Sequence, residues 1–303
     1  MDNRHGLTQI RTTGGLGRAK WSFRARAADY VKSRAIVLWH ALLCAIAALN
    51  LVVWSLSASA VAHAQGANHL HAGASGLVQL LLSAGYVLGC AFRSVLPVYD
   101  IPRIVLVNSR LSSVIVGRSI ATAAELCFAV QWALILHRMA LLSDSPTGIA
   151  VSLLIVPLIL IAEGCSWYAV LSTAQRAHAF ENSLWGFTAA LVIGSLLLME
   201  PHRVAGLYRP MMAWCVGGAA YVAYIFLFDV PAYWSRWRAD QINGRQYLSV
   251  AQGVLDTCRT RIVSYRWEVW KSEVLWMSLY FTLGVWSSVS LVYASITLGA
   301  QPN

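Results

Sequence analysis

Long apolar runs dominate the pattern of the chain, at residues 35–56, 73–92, 119–137, 148–171, 184–200, 210–230 and 274–298. A helix needs about 20 mostly apolar residues to cross a hydrocarbon layer about 30 Å thick, so each run predicts a membrane span. The fifth is short, from Leu184 to Met199. No stretch alternates over ten residues as an outer-membrane strand would, which argues against a β-barrel. The expected fold is all-α: a polytopic membrane protein, a seven-transmembrane-helix bundle.

The polar stretches divide the rest. Residues 1–34 read as a basic cytoplasmic tail, partly disordered because RTTGGLGR has little to bury. WSFRARAADYVKSR would lie along the interface as an amphipathic lead into the first span. The membrane domain takes residues 35–298, and 299–303 form a short outer tail. The longest connection, 231–273, holds PAYWSRWRADQ and SYRWEVWKSEVLWMSLYF, and membrane–water interfaces collect such aromatic and Arg residues. It predicts two interfacial helices in the last inner loop. No repeat of 20–50 residues and no inverted repeat of halves is visible, which weighs against the common transporter folds.

Composition sharpens this picture. Hydrophobic residues make up 58% of the 303 positions and charged residues 12%, where soluble domains carry about 25% charged. Twenty of the 23 Lys and Arg residues fall on the side of the N-terminus, and only Arg138, Arg203 and Arg209 on the other. That split predicts N-terminus in and C-terminus out. It also accounts for the net charge of +10 as a device of topology that favours anionic lipid headgroups. Nucleic-acid binding is not implied, since no base-reading surface on a soluble fold accompanies it. The expected place is a cell inner (plasma) membrane, with an organelle inner membrane as the alternative for an Arg-rich, acid-poor tail. The first span is followed by SASAVAHAQ, whose A-x-A patterns resemble a signal cleavage site, so processing of residues 1–64 stays open. The six cysteines show no CxxC pair and none falls in an outer loop, which argues against structural disulfides and a cysteine zinc site.

Two glutamates interrupt otherwise uncharged spans: Glu125 in SIATAAELCFAVQWALIL and Glu163 in VSLLIVPLILIAEGCSWYAV. A mid-membrane charge costs roughly 2.5–3.5 kcal/mol on insertion scales, so both are functional candidates. Glu125 comes seven residues after Arg118 and Glu163 eight before Leu171, which places them roughly 10 and 12 Å deep at 1.5 Å per residue. Spans three and four are joined by a short loop, so the carboxyl groups would face each other. Arg118, Thr122 and Glu125 share a helix face at i, i+4, i+7. Trp167 and Tyr168 would form a polar-aromatic rim toward the inner surface. Glu181 and Asn182 open span five, and Asp229 and Tyr233 close span six. Spans three to six thus all bring acidic groups to the inner half. Such a pocket would share a proton between two acids, pair them with Arg118, or hold a divalent cation.

No nucleophile or phosphate motif is present: GxSxG, HExxH and a phosphate-cradling glycine loop are all missing. The outer loop holds His63, His69 and His71, a spacing that matches no strong metal site; His40 reads as a packed residue of span one.

Ser166-Trp167-Tyr168 followed by Glu181-Asn182-Ser183-Leu184-Trp185 resembles the acid, Trp and Asn pattern of the seven-span alkaline ceramidases across residues 166–185. Those zinc hydrolases need histidines inside later spans, and span seven has none, so no role is carried over. The leading reading is an integral membrane protein with an inner-leaflet-facing polar pocket that binds or modifies a lipid or other amphipathic substrate. In it Glu125 and Glu163 serve as acid/base or ion-binding groups, and Arg118, Trp167, Tyr168, Glu181, Asn182, Asp229 and Tyr233 surround them. The alternatives are a proton- or ion-coupled transporter using the same acids, and a non-catalytic subunit whose acids meet a membrane protein partner or a second copy. The sequence leaves open which of these classes applies, and whether the protein is an enzyme.

Overall fold

In the computed structural model, residues 15–66, 70–199 and 206–299 are described. Of the stretch expected to be disordered, RTTGGLGR, residues 11–14 lie outside them and Gly15–Arg18 instead open the first helix; the end of the outer tail, 300–303, also lies outside them. Seven helices are long and apolar enough to cross a membrane: Arg34–Ala64, Ala74–Val95, Val114–Leu142, Pro146–Ser172, Gln175–Leu198, Tyr208–Ile242 and Trp267–Gly299. They match the seven predicted runs one for one. The chain is thus a multi-pass, all-α membrane protein.

The elements are α1 (Gly15–Gly66), α2 (Leu70–Val95), α3 (Val114–Leu142), α4 (Pro146–Ser172), α5 (Gln175–Leu198), α6 (Tyr208–Tyr224), α7 (Val230–Ile242), α8 (Val250–Arg259), α9 (Trp267–Leu279) and α10 (Val285–Gly299). Single π-helical turns join α6 to α7 at Ile225–Asp229 and α9 to α10 at Tyr280–Gly284. Both pairs therefore run on as long helices. This corrects the expectation for 231–273. PAYWSRWRADQ continues span six and WEVWKSEV begins the last span, so α8 alone stands between them as a separate helix. The polar residues misled because charged and aromatic side chains end a hydrophobic run without ending a helix.

Neighbours pack in the order α1–α2–α3–α4–α5–α6, with α7 also on α5 and α10 set against α1, α2 and α3. Half of the apolar window of the last span is buried, against 17% for span six, so the last span is central and span six peripheral. Leu136, Met139, Ile159, Leu196, Met211 and Leu291 fill one core; Ile36, Leu43, Tyr86, Trp270, Phe281 and Val285 fill a second. The exposed faces carry Leu153, Leu198, Val216 and Leu227, as helices facing acyl chains do. Pro146 at the first turn of α4 and the Ser145 hydroxyl, which accepts from Gly148 N, start that helix. Thr173, at φ 64, turns the chain out of it.

A small platform closes the basic end. Strands β1 (Val98–Tyr99) and β2 (Ile104–Val105) pair antiparallel, and β3 (Ile262–Val263) pairs parallel with β2. Arg103 sits between β1 and β2 at φ 72 and is 3% exposed. It donates to Asp256 on α8 at 2.8 Å, to the Asp100 carbonyl at 2.8 Å and to the Val170 carbonyl at 2.7 Å. One guanidinium thus ties the α2–α3 connection to α8 and to the end of α4. A Cβ at Gly253 would fall on the Leu171 carbonyl oxygen, so α8 approaches α4 at a distance only glycine permits.

Candidate functional site

Arg118 enters α3 one turn from its start and is 6% exposed. One of its terminal nitrogens, Nη2, donates to Glu125 Oε2 at 2.7 Å and to Glu163 Oε2 at 2.6 Å. The other, Nη1, lies 3.8 Å from Glu181 Oε1 on α5. Three helices therefore bring three carboxyl groups to one guanidinium, in the register the spacing of Arg118 and Glu125 predicts. The facing of Glu125 and Glu163 is met through Arg118 between them.

The surrounding donors complete the group. The Thr122 hydroxyl donates to Glu163 Oε2 and accepts from Trp167 Nε1 at 3.1 Å. Tyr280, in the π turn of the last span, donates to Glu125 Oε1 at 3.0 Å. Glu163 Oε1 and Ser166 Oγ, one turn apart on α4, are buried with no hydrogen-bond partner among the described residues. Glu163 is 3% exposed, so this oxygen is a buried acceptor.

On α5, His178 Nδ1 lies 2.7 Å from Glu181 Oε2. The His178 ring packs on Tyr233 with centroids 5.1 Å apart, and Arg236 sits 5.2 Å above the Tyr233 ring. The remaining predicted residues fall differently. Asn182 turns back to the His178 carbonyl at 2.9 Å. Asp229 is half-buried in the π turn between α6 and α7, and Tyr168 is 51% exposed on the outer face of α4. Trp167 and Tyr168 do not make a shared rim: the first joins the acids and the second points away.

His178 and Tyr280 were not among the residues singled out from sequence. His178 stands three positions before Glu181, a same-face spacing on a helix. It was missed because the apolar run of span five begins at Leu184, whereas the helix begins at Gln175. No local signal links Tyr280 to Glu125, which lie 155 residues apart.

Among the described residues no group of three or more His, Cys, Asp or Glu side chains is arranged to hold a metal ion. The carboxylates that would serve a divalent cation converge on the guanidinium. His63 bonds the Ser59 carbonyl of its own helix at 2.7 Å, and the position of His69 and the side chain of His71 lie outside the described residues. His40 is half-buried and bonds the Val95 carbonyl at 2.9 Å.

Charge sets what the group can do. Three ionised carboxylates against one guanidinium would leave two unbalanced negative charges in a site screened from water, a costly arrangement. Protons or a small cation remove the imbalance. Glu163 ties α4 and Glu181 ties α5 to Arg118 on α3, whereas Glu125 lies on α3 and takes the Tyr280 hydroxyl of the last span, so the choice of which acid is charged is a choice among helix contacts.

Compared with known proteins, the chain matches no family model, no curated protein and no solved structure.

Proposed function

We propose that this membrane protein uses the Arg118–Glu125–Glu163 group as a proton-exchanging site, the coupling centre of a carrier or of a proton-driven conformational change. The observation that carries the reading is the sharing of Arg118 Nη2 by two carboxylates, with a third acid beside Nη1. Taking up a proton on Glu163 weakens the α3–α4 tie and leaves Arg118 to Glu125 and Glu181. Losing it restores the tie. A proton is thereby converted into a change of helix packing, which is what coupling requires.

The lipid-handling reading has less to stand on. A headgroup phosphate would meet three acids, the Trp167 N–H is already committed to Thr122, and Tyr168 faces outward. The orientation with the basic end inside remains the proposal made by the Lys and Arg distribution.

The test is infrared difference spectroscopy of the purified protein in proteoliposomes as pH is lowered. A carboxylic-acid carbonyl signal should grow in, and Glu163→Gln or Glu125→Gln should remove or shift it. The same spectra from wild type and from both variants would overturn the reading.

A further inference from the structure

Gln175, His178 and Glu181 follow one another at i, i+3, i+6 along α5 and share a face. All three are buried, at 7%, 9% and 8% exposure. At the basic end Gln175 lines a pocket of about 300 Å³ together with Arg236, Asp240 and Arg245. Its Oε1 is buried with no partner among the described residues. One turn deeper stands His178, and one turn deeper again Glu181 reaches Arg118. The stripe sets three polar side chains on one face of α5 between an open pocket and the buried acids.

We propose that His178 and Glu181 form the entry route by which protons pass between the aqueous pocket at the basic end and the Arg118 acid group, with the free carbonyl oxygen of Gln175 orienting pocket water toward His178. This rests on the proton-exchange reading above and adds the route and the side of access to it. The imidazole can accept a proton at one ring nitrogen and release one from the other. A proton taken up at Nε2 lets Nδ1 pass its own to Glu181 Oε2 across 2.7 Å. Imidazole is left neutral and Glu181 becomes the acid. Glu181 then yields that proton to the Glu163 carboxylate and returns to its charged form, and Arg118 Nη1 closes on it as Nη2 gives up Glu163. No oxidant or co-reactant is needed. The groups facing His178 are compatible with this role. They are Glu181 on its own helix, Tyr233 and Arg236 on α7, Asp229 in the π turn within electrostatic reach, and Arg118 on α3 behind Glu181.

The experiment is a pH jump on the full chain in proteoliposomes, with the carboxylic-acid carbonyl band followed in time. His178→Gln and Gln175→Leu each leave the three glutamates and Arg118 in place. In both, the band should reach its wild-type amplitude but more slowly, by about a hundredfold in His178→Gln, the lower end of what a positioned proton-transfer group supplies. A merely structural role would change the amplitude or the yield of folded protein and leave the rate of the folded fraction alone. Wild-type rates in the folded variants would overturn the route while leaving the proton site standing. A wild-type protein with no titrating buried carboxyl would overturn the site itself. Should His178→Gln fail to assemble, Gln175→Leu, at the mouth and away from the acids, decides between the first two results.

Discussion

Arg118 holds the balance of the acid group, and removing it is the sharpest single-residue change the structure offers. Arg118→Ala would leave Glu125, Glu163 and Glu181 facing one another without a cation. Breaking a buried ion pair by deleting one partner costs about 3–5 kcal/mol. The variant should therefore melt well below wild type in detergent, and adding Glu163→Gln should recover part of the loss by removing one of the abandoned charges. No recovery would mean the acids are neutral whatever Arg118 does. The glutamates themselves are expected to behave as one unit. Glu125→Gln and Glu163→Gln should each impair proton exchange, and the double variant should be little worse than either, since residues sharing one partner are non-additive. Two small effects that simply add would point to ordinary interhelical hydrogen bonds. Much of this was legible in the sequence: the i, i+7 spacing of Arg118 and Glu125, and an acid at matching depth on the next span, required only helix geometry. Tyr280 was not, because nothing local marks a contact made by a tyrosine on the last span.

At the scale of elements, the platform under the bundle depends on one charged link. Burial pushes the Asp256 carboxyl up, but the Thr260 hydroxyl and the Arg103 guanidinium outweigh it and hold the group below the ordinary carboxylate range. A carboxyl lowered in the folded state contributes stability above its unfolded value, about 3.9, and the contribution is lost as pH falls through the lower folded value. The hold of α8 on the α2–α3 connection should therefore loosen only below about pH 4. Hydrogen exchange of the amides at 250–259 would show it as an acid-induced rise. Asp256→Asn should already exchange faster at neutral pH and lose most of the acid step; an unchanged step would place its origin elsewhere. Gly253→Val should free the same amides by driving α8 off the Leu171 carbonyl. The seven spans were legible as hydrophobic runs, whereas this platform was not. Its strands are two residues each, too short for an alternating pattern. Helix ends were likewise misplaced wherever a helix continues into polar residues, as at Gln175, Ile242 and Trp267.

For the whole molecule, packing and charge make separate demands on topology. Packing joins the α2–α3 connection to the loop before α8: Arg103 donates to the Val170 carbonyl, and Leu248 N donates to the Ser172 carbonyl. Asn108 and Gly244 must therefore report the same side of the membrane, and Ser143, between α3 and α4, the other. The Lys and Arg distribution then decides which side is which, and predicts Asn108 and Gly244 inside with Ser143 outside. Single-cysteine labelling in sealed vesicles at the three positions separates the two demands. Ser143 on the same side as Asn108 would break the seven-span bundle. Asn108 and Gly244 together on the outside would keep the bundle and invert it, and the same stripe of Gln175, His178 and Glu181 would then admit protons from the outer solution. The direction of the proposed coupling thus hangs on a charge bias in the loops, whereas the proposed route follows α5 whichever way the bundle is oriented.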